Sequence, residues 1–469
     1  MAQDASTPPP ARAPRKRRWR VALVVVLLAA VGAGWWWFTR PKAMRLVDVM
    51  TPSVPEMPAG QMEVRTYPEH FAVVSRQDVP VTVGSATHIC YFRRAIALRR
   101  WNGEVMWQAH FPLPAFPRGR TPLNYALFGT MQSLSPNGRH CALAVVDGDS
   151  QQIIHWQDGR RVGTVRLPCR GILAHLYVFD SGVIYAWVPS APIGSVFRIE
   201  GGRLAARGTV ATPVAQGYPL GRFSPDGRAF ITADNSGFVY HRVSVSGATL
   251  NLTPVYTAQE PVIKPNNHNL PYLVNADLLV ATNGAVYTGR GKVSDSSGWQ
   301  CFAYEHTPPS TALMQYRLPA SMKSPLDAVA VRVFDPRTRT HWTPGDGTSR
   351  LVSAVTPDGR YALVGRQPAR QFRAFVKTVA TGKYLPSRVR TPLQRYLDRD
   401  EITLALYERP GRARATLHLS FGESSLPVIR HGGAQYRYQQ LHLSPDGHTL
   451  RIIGHHEETG EKKIFTYAW

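Results

Sequence analysis

Cysteine is scarce: Cys90, Cys141, Cys169 and Cys301 are the four in 469 residues, too few and too widely spaced for a disulfide scaffold. None falls in a C-x-x-C, haem-attachment or zinc-finger string, so they read as core thiols. Cys90 with Cys141 is the first pair to test for a disulfide in an exported domain. Catalytic strings are missing too, with no HExxH, GxSxG or phosphate-cradling GxxxxGKS anywhere. Long apolar runs are equally rare. The apolar, uncharged stretch of 18 residues from Val21 to Phe38 has no later apolar counterpart, which excludes a multi-spanning helical membrane protein. Lysine supplies only nine of the 55 basic residues.

What the chain has in surplus is positive charge. Fifty-five Lys and Arg against 31 Asp and Glu give a formal +24, which taken alone points to nucleic acid. The distribution points elsewhere. Up to Arg45 there are nine bases against the single acid Asp4, and six of the nine precede Val21. The rest is arginine scattered along the chain, as a GC-rich coding bias would leave it, so nucleic acid is not expected as a partner.

As a helix, Val21 to Phe38 would reach ~27 Å, enough to cross the hydrocarbon core of a bilayer. It follows the basic run Arg15-Lys16-Arg17-Arg18-Trp19-Arg20 and ends in Trp35-Trp36-Trp37-Phe38, an interfacial aromatic belt. Residues 1–20 are therefore expected as a basic cytoplasmic tail and 21–38 as a transmembrane signal anchor. Residues 39–60, with Pro52, Pro55 and Pro58, read as a spacer, and 61–469 as one extracytoplasmic domain. This places the chain in the inner (plasma) membrane as a single-pass protein, the bilayer gripping 21–38. The competing readings are a leader cleaved near Val31-Gly32-Ala33, a twin-arginine signal at Arg17-Arg18, and a buried core helix.

Beyond the spacer the sequence repeats. Leu134-Ser135-Pro136-Asn137-Gly138-Arg139 recurs as Phe223-Ser224-Pro225-Asp226-Gly227-Arg228, Val355-Thr356-Pro357-Asp358-Gly359-Arg360 and Leu443-Ser444-Pro445-Asp446-Gly447-His448. The prolines lie 89, 132 and 88 residues apart, near two, three and two units of 44. Degenerate copies stand at Phe179-Asp180-Ser181-Gly182, Asn275-Ala276-Asp277, Lys323-Ser324-Pro325-Leu326-Asp327 and Asp398-Arg399-Asp400. Pro presets φ, Asp or Asn bonds its own backbone, and Gly takes the positive φ that closes the turn. A β-branched or aromatic strand follows each string, and four short strands in ~40–50 residues make a propeller blade.

The SPDGR-plus-strand repeats, covering most of 80–469, resemble the WD-repeat-like propellers of bacterial exported proteins. Ala95-Ile96-Ala97-Leu98 followed by Trp101-Asn102-Gly103-Glu104-Val105-Met106-Trp107 resembles the strand pair of pyrroloquinoline-quinone-type propellers. Weaker echoes are Ile199-Glu200-Gly201-Gly202-Arg203-Leu204 and Val379-Ala380-Thr381-Gly382-Lys383. The expected fold is all-β, a seven- or eight-bladed β-propeller following one N-terminal transmembrane helix. Its last blade, three-stranded up to Trp469, would be completed by a strand near Met62-Glu63-Val64 or Phe71-Ala72-Val73-Val74. Trp101, Trp107 and Trp156 are expected to fill the space between blades.

No residue is assigned as catalytic, cofactor-binding or metal-ligating. His455-His456-Glu457-Glu458 has the residue types of a metal site, yet adjacent side chains on an extended chain point to opposite faces, and the run reads as a solvated hairpin. Asp147-Gly148-Asp149 and Asp398-Arg399-Asp400 read as turns. The function this supports is a noncatalytic binding or scaffolding module for an envelope protein or anionic polymer, with no cofactor. The alternative is a propeller enzyme, a quinoprotein-type dehydrogenase or a hydrolase or lyase, with its site at one mouth of the channel.

Overall fold

A strand that is apolar on both faces has to be covered on both. The segments after the turn strings are of this kind, CALAVV after Arg139 and YALVG after Arg360. The computed structural model describes residues 41–54, 62–83, 86–111, 130–147, 150–168, 175–187, 193–200, 203–211, 220–233, 237–247, 249–259, 272–281, 285–294, 299, 311–317, 329–349, 353–366, 401–421 and 427–469. Among these, every helix-or-strand element is a strand.

Strands β1 (Lys42–Ala43) and β2 (Arg45–Met50) precede the first four-stranded sheet, which holds β3 (Met62–Thr66), β4 (His70–Val83), β5 (Ala86–Arg100) and β6 (Val105–His110). The second sheet is β7 (Thr130–Leu134), β8 (His140–Asp147), β9 (Ser150–Gln157) and β10 (Arg160–Pro168). The third is β11 (His175–Val178), β12 (Ile184–Trp187), β13 (Ile193–Glu200) and β14 (Arg203–Ala211). The fourth is β15 (Leu220–Phe223), β16 (Ala229–Ala233), β17 (Phe238–Ser246) and β18 (Thr249–Ala258). The fifth is β19 (Tyr272–Asn275), β20 (Leu278–Val280), β21 (Val286–Thr288) and β22 (Gly291–Ser294). In the sixth, β23 (Leu313–Arg317), β24 (Val329–Asp335) and β25 (Thr340–Trp342) are joined by β26 (Thr348–Ser349), paired to the start of β24.

A final ten-stranded sheet begins with β27 (Ser353–Val355), β28 (Tyr361–Arg366), β29 (Glu401–Glu408) and β30 (Arg412–Phe421). It continues through β31 (Pro427–His431), β32 (Ala434–Leu443), β33 (Thr449–His455) and β34 (Lys462–Ala468) to β2. Its two parts, β27 to β30 and β32 to β34 with β2, each repeat the four-strand order, and β31 bridges them. Antiparallel four-stranded units succeeding one another along the chain, packed face to face, are a β-propeller.

The core lies between the units. Along β8, Cys141, Leu143 and Val145 pack back on Leu98 and Trp107 of the first sheet. Ala142 and Ala144, on the other face, pack forward on Val178 and Phe197 of the third. Each later unit repeats this two-sided burial. The last cluster joins Ile453 and Ile464 of the final unit to Phe71, Val73, Ala95 and Ala97 of the first. Trp107 and Trp156 are buried between the first and second sheets and Trp101 packs between the last unit and the first, so all three fill inter-unit space as their size suggested.

All four full turn strings join the first and second strands of their units with one geometry. The hydroxyls of Ser135, Ser224, Thr356 and Ser444 accept the backbone N–H five residues on, each at 2.9 Å. Each also donates to the Asn or Asp carboxamide or carboxylate two residues on. The string needs glycine because the turn lies against the preceding sheet. At Gly359, φ is +70° and a Cβ would stand 2.5 Å from that of Ala312; at Gly227, φ is +69° and it would stand 2.9 Å from the Tyr177 hydroxyl. Two degenerate copies, at 179–182 and 275–277, form the same kind of turn, β11 to β12 and β19 to β20.

Three expectations are corrected. The strings at 323–327 and 398–400 lie outside the described residues, and the strands they precede, β24 and β29, are not second strands. The place of β29 is third in its unit. For β24 and β25, Trp342 gives the same answer: its Nε1–H donates to the Gly359 carbonyl at 3.0 Å as Trp107 donates to Gly138 at 2.8 Å, which puts β25 in the outer place of β6. Consequently the step from Pro357 to Pro445 is one unit and not two, its extra length taken up between β28 and β29 and by β31. The closing strand is also different. Met62–Thr66 and His70–Val83 belong to the first sheet, and β2 completes the last one along β34. Leu46 and Val47 of β2 are 43% and 60% exposed, so backbone pairing with the open edge of β34 holds this strand more than side-chain burial does. Residues assigned to a spacer by their prolines are thus partly sheet, with Met44 N–H donating to Thr416 O at 2.8 Å and Val54 buried. The tail at 1–20 and the segment 21–38 lie outside the described residues.

Candidate functional site

Turns on the fourth, fifth and sixth sheets line an open cleft of about 1140 Å³. The β15–β16 turn brings Asp226 and Arg228, and Arg242 comes from the adjoining strand β17. The fifth sheet adds Asp277 from its β19–β20 turn, Arg290 from its β21–β22 turn and Lys292 from β22, while the sixth adds Arg337 and Arg339 from the β24–β25 turn. Six cationic side chains thus face two carboxylates. The volume exceeds what a single small ligand commonly fills, about 300–1,000 Å³.

The two acids are unequally available. Asp226 is committed on both oxygens, Oδ1 accepting from the Ser224 hydroxyl and the Arg228 N–H of its own turn and Oδ2 from the Ala276 N–H of the β19–β20 turn at 3.1 Å. Asp277 sits in a turn in which its N–H donates to Asn275 Oδ1 at 2.7 Å. The β21–β22 turn is held by Arg290 N–H donating to Thr288 Oγ1, and Arg337 N–H caps on Asp335 Oδ1 at 3.0 Å. Arg339 takes φ +56°, a left-handed conformation that costs a non-glycine residue roughly 1–2 kcal/mol. Tyr240, in the cleft wall, is stacked on Tyr256 at 5.2 Å. Burial, with Asp277 and Asp226 nearby, pushes its phenol up to about 12, so it stays neutral at physiological pH. With six cations against two carboxylates among the described lining, the cleft is a net-positive surface suited to holding an anion.

The motif arginine is used in two ways. In the second sheet Arg139 pairs with Asp158 at 2.9 Å. In the seventh unit Arg360 pairs with Glu408 at 2.8 Å, and Arg414 bonds the other carboxylate oxygen. Arg228, in the fourth sheet, has neither arrangement and faces the cleft.

The residues singled out by composition lie elsewhere. His455 ends β33 and His456 opens the turn to β34, where its backbone N–H donates to Glu461 O at 2.7 Å. The pair is the hairpin that adjacent placement implied. Cys141 is buried, while the side chain of Cys90, and Cys169 and Cys301 entirely, lie outside the described residues, as do 148–149 and 398–400. Nothing in the sequence grouped the cleft cations, because Arg228 and Arg339 are 111 positions apart and come together only through three successive sheets.

No family model matches the chain, and no curated protein matches it. It is similar to solved propeller structures. The Cps50 (Swd1) β-propeller domain of Myceliophteria thermophila is 11% identical, with 91% of this chain and 99% of that chain covered and a TM-score of 0.34. Virginiamycin B lyase from Staphylococcus aureus is 10% identical over 90% of this chain and 99% of that one, with a TM-score of 0.31. The WD40 domain of Toxoplasma gondii coronin is 9% identical over 91% and 88%, with a TM-score of 0.31.

Proposed function

We propose that this chain is a noncatalytic binding module, an eight-bladed propeller held at the outer face of the plasma membrane by residues 21–38, which docks an anionic envelope partner. The basic cleft carries this reading: six cations from three neighbouring units converge on it against two carboxylates among the described lining, Asp226 being already bonded within its own turn and to the β19–β20 turn, and Arg337 reaches an acid beside the cleft, Asp335 at 4.0 Å. Eight blades agree with the eight hydrophobic clusters among the described residues, each bridging successive units and the last bridging the ends. The anchor rests on the uncharged run and its basic and aromatic flanks.

The test is capture from envelope extract by the full-length chain in detergent. A protein or polymer should be retained at low ionic strength and released near ~1 M salt, where the Debye length falls to about 3 Å. Retention of nothing, together with calcium-dependent quinone binding, would overturn the proposal in favour of a propeller enzyme.

A further inference from the structure

In three units the backbone places the residue facing the motif arginine identically. The N–H groups of Asp158, Val243 and Arg409 donate to the carbonyls of Arg139, Arg228 and Arg360 at 2.8, 2.8 and 2.9 Å. In the second sheet that residue is itself the acid, and in the seventh unit the acid Glu408 stands one position before it. In the fourth sheet the position before Val243 is Arg242. A second guanidinium therefore occupies the place of the counterion, and no carboxylate pairs with Arg228 or Arg242 among the described residues. Two like charges lining one cleft repel each other, and an oxyanion bound between them relieves that repulsion.

We infer that Arg228 and Arg242 anchor a carboxylate-rich segment of a partner protein, which takes the place that Asp158 and Glu408 fill in the other units. This rests on the reading of the propeller as a binding module. The guanidinium fork matches a carboxylate in a bidentate pair. Arg290, Arg337 and Arg339 extend the cationic lining, so a run of acidic residues fits better than one isolated anion. Val293, half-buried at the cleft wall, offers an apolar contact, whereas Val243, Leu278 and Pro336 are buried, and Tyr240, the aromatic residue among the described lining, is 4% exposed and already stacked on Tyr256. No ring is presented for a sugar or a base, the usual means of holding polysaccharides and single-stranded nucleic acid.

The experiment is fluorescence anisotropy with the full-length chain in detergent and a short fluorescein-labelled peptide in which Asp and Glu alternate with Leu. Inorganic polyphosphate and heparin fragments serve as competing probes. The peptide should bind, and the Arg228→Glu/Arg242→Glu double variant should lose at least about tenfold in affinity, about 1.4 kcal/mol. Arg228→Lys/Arg242→Lys, which keeps the charge and removes the fork, should lose roughly threefold, while Arg360→Gln, outside the cleft, should bind as the wild type does. A cooperative thermal melt shows that each variant is folded. The inference is overturned if the peptide fails to bind, if the charge-reversed protein binds it equally, or if polyphosphate or heparin binds through these arginines and the peptide does not. If the charge-reversed protein still captures the envelope partner, this inference fails and the binding-module reading stands; if the wild type captures nothing and binds quinone with calcium, that reading fails as well.

Discussion

The β27–β28 turn and the β15–β16 turn are built from nearly the same six residues and do different work. Around Thr356 to Arg360 the arginine is spent inside the protein. Its guanidinium donates twice to Glu408, which is buried, and Arg414 donates to the other carboxylate oxygen. Around Ser224 to Arg228 the hydroxyl, the Asp and the Gly repeat the same bonds, while the acid is replaced by Arg242. The difference separates two layers of the motif. Its Ser/Thr, Asp and Gly make the turn, and what its Arg does is decided by a residue on the third strand.

The comparison presupposes one cooperative ring, and the largest expected effect tests that. Deleting Lys462 to Trp469 removes β34, which lies between β33 and β2 and supplies Ile464 and Phe465 to two clusters. Each unit covers its neighbour, so both turns should be lost together and the thermal transition should vanish. If the fourth sheet kept its near-ultraviolet dichroism while the seventh melted, the two turns would belong to independent units.

Next in size are the glycines. Gly359→Ala puts a Cβ 2.5 Å from that of Ala312, an atom fixed to its backbone, at φ +70°. Strain and overpacking together should cost about 2–4 kcal/mol. Gly227→Ala meets the hydroxyl of Tyr177 at 2.9 Å, a side-chain tip and not an atom fixed to its backbone, so a smaller cost of about 1–2 kcal/mol is expected, with loss of the Tyr177 hydroxyl's bonds to Ser224 O and Pro225 O included. Denaturant melts of the two variants measure the difference, and equal losses would show that φ alone sets the requirement.

Glu408→Gln should cost about 1 kcal/mol, since it leaves Arg360 and Arg414 without a charged acceptor while both remain in reach of water. Burial pushes the Glu408 carboxyl up, and the hydrogen bonds and charges of Arg360 and Arg414 outweigh it, so its folded pKa lies below the ordinary value. Its contribution is then fully present above the unfolded pKa of about 4.3 and is lost as pH falls through the lower folded value. The stability gap between wild type and variant, measured by urea melts, should hold at neutral pH and close in acid. A gap that widened in acid would reverse the sign.

Local chemistry and long-range placement differ in how far the chain reveals them. The turns were legible because Ser-Pro-Asp-Gly-Arg carries its own hydrogen bonds, and the blade strands because CALAVV and YALVG are apolar on every face. The closing strand was not, because Arg45–Met50 is held by the edge of β34, more than 400 positions away, and its exposed Leu46 and Val47 give no core pattern. The even period of 44 also misled, since β31 and the long β28–β29 connection add length without adding a unit. The cleft was least visible of all. Scattered arginine looked like coding bias, and only the pairing of β16 with β17, which sets Ala229 opposite Arg242, shows that Arg242 stands where an acid would neutralise Arg228.

That substitution gives the smallest expected effect on stability and the sharpest test of the comparison. Arg242→Glu converts the fourth-sheet turn to the arrangement of the seventh unit. The new carboxylate should pair with Arg228 at a solvent-facing site, where such pairs are worth about 0–1 kcal/mol, so the melt should stay level or rise slightly. Anionic peptide binding should fall in the same variant, because one anchor is lost and the other is neutralised from within. The reciprocal change, Glu408→Arg in the seventh unit, should destabilise by more than Glu408→Gln, since it sets a third guanidinium between Arg360 and Arg414. If Arg242→Glu instead destabilised the fold while binding held, Arg242 would be a structural residue and the two turns would differ for a reason other than the missing acid.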